Sequence, residues 1–209
     1  CSLVEITIPR SVNFIGEFAF DGCEKLEKIT VSPQNEHYAS IQGVLYDKSL
    51  TTLIRCPQNM KQISIPYGVT DIGRCAFSDC SALIEITIPN SLENIGYESF
   101  DNCTALSKIS IPSSVKTIGD WAFTGCEALS EITIPNSVKE MGRDPFMRCK
   151  NLKSINVSPD NEYYRSIGGV LYDKDVATVI RCPQKTKQVN IPNNIAKIED
   201  YAFAGCTLL

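Results

Sequence analysis

Histidine is almost missing from this 209-residue chain, which has only His37. A Ser-His-Asp triad or a histidine-rich metal site has next to nothing to build on. Ten cysteines are present, yet no two stand as Cys-x-x-Cys, the paired spacing of zinc sites and thioredoxin-like redox motifs. An excess of basic residues is lacking too. Lys and Arg number 20 against 24 Asp and Glu, for a net charge of -4, with the two signs interspersed. Without a basic stripe to neutralise phosphates, nucleic acid is excluded as a partner and anionic membrane surfaces are disfavoured. Long apolar runs are absent. Stretches such as Val44-Leu45-Tyr46 or Thr52-Leu53-Ile54 fall far short of the roughly 20 residues of a spanning helix, so this segment is not expected to insert into a membrane. The chain opens on Cys1-Ser2-Leu3-Val4, with neither an initiator Met nor a basic-then-apolar leader, and says nothing of its own export.

What is present is a repeat. Cys80, Cys103, Cys126 and Cys149 lie 23 residues apart and frame one pattern, Cys-x-x-Leu-x-x-Ile-x-Ile-Pro-x-Ser-Val-x-x-Ile-Gly-x-x-Ala-Phe-x-x. It is cleanest from Cys103 through Ile109-Ser110-Ile111-Pro112 to Ile118-Gly119-Asp120-Trp121-Ala122-Phe123. Cys23 to Cys80 and Cys149 to Cys206 are each 57 residues, read as one 23-residue unit plus 34 more, and the two long units match at an offset of 126. The chain is a duplicated super-repeat. Ile86 and Ile88, or Ile132 and Ile134, have the period of two of a short strand with one face inward. The Pro that follows has no N–H for a ladder and ends a strand of about five or six residues. Val115, Ile118, Ala122 and Phe123, around Gly119, then predict a brief extended piece and a helical or 3₁₀ turn. Such coils must stack to cover their apolar sides, and eight of them make a curved rod roughly 40 Å long.

These residues resemble the BspA-like leucine-rich repeats of surface proteins from host-associated bacteria and some protists. The Ile-x-Ile-Pro-x-Ser-Val-x-x-Ile-Gly-x-x-Ala-Phe-x-x-Cys pattern carries the likeness over nearly the whole chain. Gly43-Val44-Leu45-Tyr46-Asp47-Lys48 and Gly169-Val170-Leu171-Tyr172-Asp173-Lys174 resemble the family's extended repeat. Departures are Met141 for Ile, Pro145 for Ala, Thr186 at a Leu position and Glu199 where Gly is usual. The expected fold class is an α/β repeat solenoid: a right-handed leucine-rich-repeat coil with a parallel β-sheet on one face, short extended and 3₁₀ or helical turns on the other, and two inserted β-hairpins. One solenoid of about eight coils is expected over 1–209, with hairpins within 32–58 and 158–184. The clipped units at both ends suggest a piece of a longer protein. The resemblance implies a cell-surface or extracellular protein that adheres to or recognises host or surface macromolecules.

The cysteine row Cys23, Cys80, Cys103, Cys126, Cys149 and Cys206 admits three readings: a stack of buried thiols, disulfides between coils, or a metal. Packing is favoured, because a position that recurs once per coil lies beside its own copies, where Cys acts as a small apolar residue. In-register parallel side chains rarely reach disulfide torsions. Cys56 and Cys182, beside Pro57 and Pro183, and Cys75 read as further packing residues. His37 aligns with Tyr163 in the duplicate, so its slot needs no imidazole. Asp173-Lys174-Asp175 suggests a cation only weakly, since the first copy reads Asp47-Lys48-Ser49 and both fit a turn. No catalytic cluster, cofactor site or metal site emerges, and the chain reads as non-enzymatic.

Two surfaces remain for recognising a protein or other surface macromolecule. One is the strand face, whose outward pairs include Glu85 and Thr87, Lys108 and Ser110, and Glu131 and Thr133, an alternating charge ladder without Trp, Tyr or Arg anchors. The other comprises the inserts, with Tyr38, Tyr163 and Tyr164, and the variable place before Ala-Phe, held by Phe18, Cys75, Glu98, Trp121, Asp144 and Tyr201. In the inserts, Tyr46 with Leu53-Ile54-Arg55, and Tyr172 with Val179-Ile180-Arg181, predict two antiparallel strands around a turn near 47–52 and 173–178. An adhesion or ligand-binding module is the leading expectation, and a structural spacer carrying another domain is the alternative.

Overall fold

The structure, a computed structural model, describes residues 2–209. It is a β-solenoid, and the described residues contain no helix. Coil 1 is described over residues 2–22, and coils 2 to 8 begin at Cys23, Cys56, Cys80, Cys103, Cys126, Cys149 and Cys182. Cys56 and Cys182, expected to stand apart, therefore belong to the repeating row. The 57-residue units divide into coils of 33 and 24 residues, not 23 and 34.

The Ile-x-Ile segments form parallel pairs in register, Glu5–Ile8 with Lys28–Val31, Gln62–Ser64 with Glu85–Thr87, and Glu131–Ile134 with Ser154–Val157. These strands have three or four residues, shorter than the five or six expected. The continuous sheet expected here is three separate pairs, and residues 108–111 of coil 5 lie outside any strand although Ile109 and Ile111 are buried. The longer parallel ladder runs through the residues before each Gly instead: Thr52–Arg55, Asp71–Ile72, Asn94–Ile95, Thr117–Ile118 and Glu140–Met141.

After that ladder each full coil turns without a helix, which corrects the α/β assignment and the 3₁₀ or helical turn. Two residues per turn adopt positive φ, such as Cys75 at 53° and Asp79 at 59°, Glu98 at 49° and Asn102 at 55°, Trp121 at 53° and Gly125 at 72°. A right-handed helix cannot run through such residues. The backbone donors are also engaged elsewhere. The amides of Cys75, Phe77 and Asp79 donate to the carbonyls of Tyr97, Ser99 and Asp101 in the next coil at 2.9, 2.7 and 2.8 Å. Those alternating inter-coil bonds hold a turn of Ala and Phe residues whose spacing alone is compatible with a helix.

The expected hairpins are three-stranded antiparallel meanders. Tyr38–Ile41, Val44–Asp47 and Thr52–Arg55 form the first, and Tyr164–Ile167, Val170–Asp173 and Thr178–Arg181 the second. Gln42-Gly43 and Gly168-Gly169, all at positive φ, supply the additional tight turn. The last strand of each meander joins the parallel ladder, at Asp71–Ile72 and Lys197–Ile198. Buried Asn35 and Asn161 seat the inserts. Each donates its amide to two carbonyls of the coil before, Pro9 and Val12 or Pro135 and Val138, at 2.8–3.0 Å. Each accepts the two amides that start the meander.

Inside the stack, Phe77, Phe100, Phe123 and Phe146 are fully buried and lie ring on ring at 4.8, 5.2 and 5.8 Å. This offset aromatic column and the isoleucine and leucine rows make up the core.

Candidate functional site

The cysteine row carries the most conspicuous chemistry and buries it. The nine described cysteines are free thiols, eight of them buried. Cys103, Cys126 and Cys149 donate from Sγ to the carbonyls of Phe77, Phe100 and Phe123 at 3.2, 3.3 and 3.2 Å. A small apolar side chain with one weak donor fits a position that faces the carbonyl of a residue 26 positions earlier. Burial is the first cause that pushes these thiols up, Cys149 to about 12, and Cys103 and Cys126 are raised further by neighbouring thiols. A thiol that stays protonated is a poor nucleophile and a poor metal ligand.

The strand-face residues Glu85, Thr87, Lys108, Ser110, Glu131 and Thr133 are all exposed. Glu85 and Glu131 flank Lys108 as the alternating ladder predicts, but no ion pair within 4 Å forms among them. The strip offers an exposed polar surface.

The turn side is different in coils 2 and 7. There the meander runs directly into the next cysteine, Arg55-Cys56 and Arg181-Cys182, and the Ala-Phe turn is missing. The next coil then has carbonyls without the amide partners a full turn would give them. Buried Arg55 answers one, donating from Nη1 to the Cys75 carbonyl at 2.6 Å. Arg181 answers two, donating to the carbonyls of Tyr201 and Ala204. Above each arginine the missing turn leaves a notch in the solenoid edge.

The two notches differ. The first, between coils 1 and 3, holds about 190 Å³ and is bridged by Arg74, whose Nε lies 3.1 Å from Glu17 and whose guanidinium sits 4.1 Å over the Tyr97 ring. The second, between coils 6 and 8 over Ile180, holds about 940 Å³. Trp121 and Tyr164, singled out in the sequence, meet there with Tyr201, while Tyr163 stands exposed on the insert and is not part of the cleft wall. Tyr97 packs edge-on against Trp121 at 5.3 Å and fixes its ring. Met141, at an expected Ile position, also lines the cleft. Asp200 and the cleft itself escaped the sequence reading, and Glu199 stood out there only as a departure from the repeat. The available signal was the 33-residue span from Cys149 to Cys182 with no Ala-Phe in it.

The model of the BspA type leucine-rich repeat region matches in six copies, over residues 1–61, 51–167 and 181–209. This chain belongs to the BspA-type leucine-rich repeat family. Among solved structures, the BspA-type chain is similar to the pneumococcal vaccine antigen PcpA, with a TM-score of 0.73 and 25% identity over 94% of this chain and 51% of that one. It is similar to a leucine-rich cell surface protein from Faecalibacterium prausnitzii, with a TM-score of 0.70 and 30% identity over 100% of this chain and 47% of that one. A leucine-rich repeat protein from Eubacterium ventriosum aligns at a TM-score of 0.67 and 26% identity, over 98% and 59%. The BspA-type chain thus spans about half the length of these structures. None of the curated proteins matches it. Leucine-rich repeats are non-enzymatic protein-interaction modules, and no catalytic family is indicated.

Proposed function

We propose that this BspA-type chain is the protein-binding module of a cell-surface or secreted protein, holding a host or surface macromolecule along its turn edge at the coil 7 cleft. The observation that carries this reading is the cleft of about 940 Å³ that brings Trp121, Tyr164 and Tyr201 together on the turn side of the solenoid. Concave sites with aromatic anchors are where interface energy concentrates. The likeness to a bacterial leucine-rich cell surface protein supports the location. Exposed Glu85, Thr87, Lys108, Ser110, Glu131 and Thr133, on the separate strand face, and Tyr163 on the insert are given no part in this contact.

The test is saturable binding of the purified chain to separated surface proteins, followed by the same titration with Trp121→Ala and Tyr201→Ala. A loss of roughly tenfold or more in either variant, with Thr87→Ala and Ser110→Ala unchanged, is expected. A chain that binds nothing saturably is a spacer, and binding that survives both aromatic variants places recognition elsewhere.

A further inference from the structure

The two notches arose from the same sequence unit, and their differences identify what the open one would hold. In the first notch the chain supplies its own cation. Arg74 lies between the Glu17 carboxylate, at 3.1 Å, and the face of Tyr97, at 4.1 Å. Carried over by the offset of 126, Arg74 becomes Asp200, Glu17 becomes Arg143, Phe18 becomes Asp144 and Cys75 becomes Tyr201. The second notch therefore exchanges the ion pair, with Asp200 in the place of Arg74 and Arg143 in the place of Glu17, and adds Asp144, Asp120 and Glu199 to its wall, so that carboxylates outnumber the one lining cation.

The charges around it are accounted for one by one. Asp120 accepts the backbone amide of Arg143 at 2.8 Å, and Glu199 pairs with Lys197 at 2.7 Å outside the cleft. Arg181, beneath the floor, is engaged with the carbonyls of Tyr201 and Ala204. The Arg143 side chain has no carboxylate within 4 Å among the described residues. Asp144 and Asp200 are left with carboxylates that make no side-chain hydrogen bond or ion pair among the described residues. Burial raises the Asp144 carboxyl, and Asp200 and Glu199 raise it further against the opposing pull of Arg181 and Arg143. A positive group arriving in the cleft would relieve that repulsion, and Trp121 and Tyr201 would offer it π-faces.

We propose that the coil 7 cleft is a receptor for an arginine or lysine side chain on a basic segment of the protein partner. This rests on the cleft being the binding site. A volume of about 940 Å³ takes one such side chain together with its flanking residues. Arg74, held between a carboxylate and an aromatic ring in the first notch, shows in this same chain the kind of contact such a side chain makes, although the groups that would make it in the second notch stand at other positions.

Trp121 is the only tryptophan in the chain, so its fluorescence reports on the cleft directly. The full chain is titrated with an end-blocked Gly-Arg-Gly-Arg-Gly peptide, its lysine counterpart, and an isosteric version carrying neutral citrulline. Saturable change with the arginine or lysine peptide, at least about tenfold weaker with citrulline, is expected. The Asp144→Asn, Asp200→Asn double variant should lose that preference. Asn is well tolerated at the positive φ of Asp144, so the fold should persist, and the melting curve verifies it. Glu85→Gln on the strand face should change nothing. Equal affinity for citrulline, a preference that survives the double variant, or no binding of either charged peptide overturns the proposal. If partner binding still depends on Trp121 and Tyr201 in that event, the cleft remains the binding site and only its cationic ligand is withdrawn.

Discussion

Gly119 shows how closely single residues are confined here. A Cβ built on it would lie 2.7 Å from the Gly96 carbonyl carbon and 2.7 Å from the Tyr97 nitrogen, and Gly96 and Gly142 are crowded in the same way by the coil before them. A Cβ on Gly16, in coil 1, would meet nothing within 4 Å. Gly119→Ala should therefore cost about 1–3 kcal/mol in a urea melt, as overpacking does, whereas Gly16→Ala should be neutral or slightly stabilising. Equal effects would show that inter-coil contact is not what selects glycine. The same contact accounts for Glu199. Its equivalent Gly73 has its nearest approach, 2.9 Å, to a single carbonyl oxygen, that of Leu53, because the coil before it lacks the turn. The sequence showed the glycine column and the exception at Glu199, but only stacking shows why the exception falls there.

The thiols make a second prediction at this scale. Burial holds the folded pKa values of Cys56, Cys103 and Cys126 above the ordinary value of 9.0, with Cys75 at about 11 and Cys149 and Cys206 at about 12. The folded state therefore holds protons that the unfolded chain releases above pH 9. Stability is fully present below pH 9 and should fall as pH rises from there through 11 to 12. Urea midpoints across that range check it, and a midpoint independent of pH up to 12 would contradict the burial of the row. The row was legible in the sequence. The carbonyl that each thiol faces was not, because it belongs to a residue 26 positions earlier.

Among the elements, the shortened coils are the informative ones. Arg181 replaces a turn by bonding to the carbonyls that the turn would have paired. Arg181→Met keeps the bulk and leaves those carbonyls unpaired, at a cost on the order of 2 kcal/mol, and should raise amide exchange in residues 199–206 before the rest of the chain. Uniform exchange along the chain would mean that the arginine acts only as filler. Arg55 and Arg181 are buried charges in strands that otherwise read as apolar, and the sequence marked them only as strand ends. The meanders were half legible. The turn at 47–52 stood out through Asp47, whose carboxylate accepts the Thr52 amide at 2.7 Å and the Thr51 hydroxyl at 2.9 Å. Gln42-Gly43 was passed over because the strand before it, Tyr-Ala-Ser-Ile, has no clear alternation.

At the level of the whole molecule, each coil is held by its two neighbours, so protection against exchange should depend on position. The Phe77 to Phe146 column belongs to the largest buried cluster, whereas coils 7 and 8 share a small cluster around Val179, Cys182 and Ala202. Amides of coils 3 to 6 should exchange most slowly and those of coil 8 fastest, by hydrogen exchange resolved along the chain. A single rate for all coils would mean that the stack opens as one unit. The 23-residue period made this architecture readable. The turns were misread because a helix and an inter-coil ladder can use the same Ala-Phe spacing, and only the destination of each N–H separates them.

The shortened coils 2 and 7 stand five coils apart, roughly 24 Å at the spacing of parallel strands. The two notches are therefore stations on a ruler, one fitted with its own plug and one left vacant. Arg74→Asp would pull the plug and give the chain two receptors at a fixed pitch, so a ligand with basic groups about 24 Å apart would be gripped at both ends, and a ligand of any other length at only one.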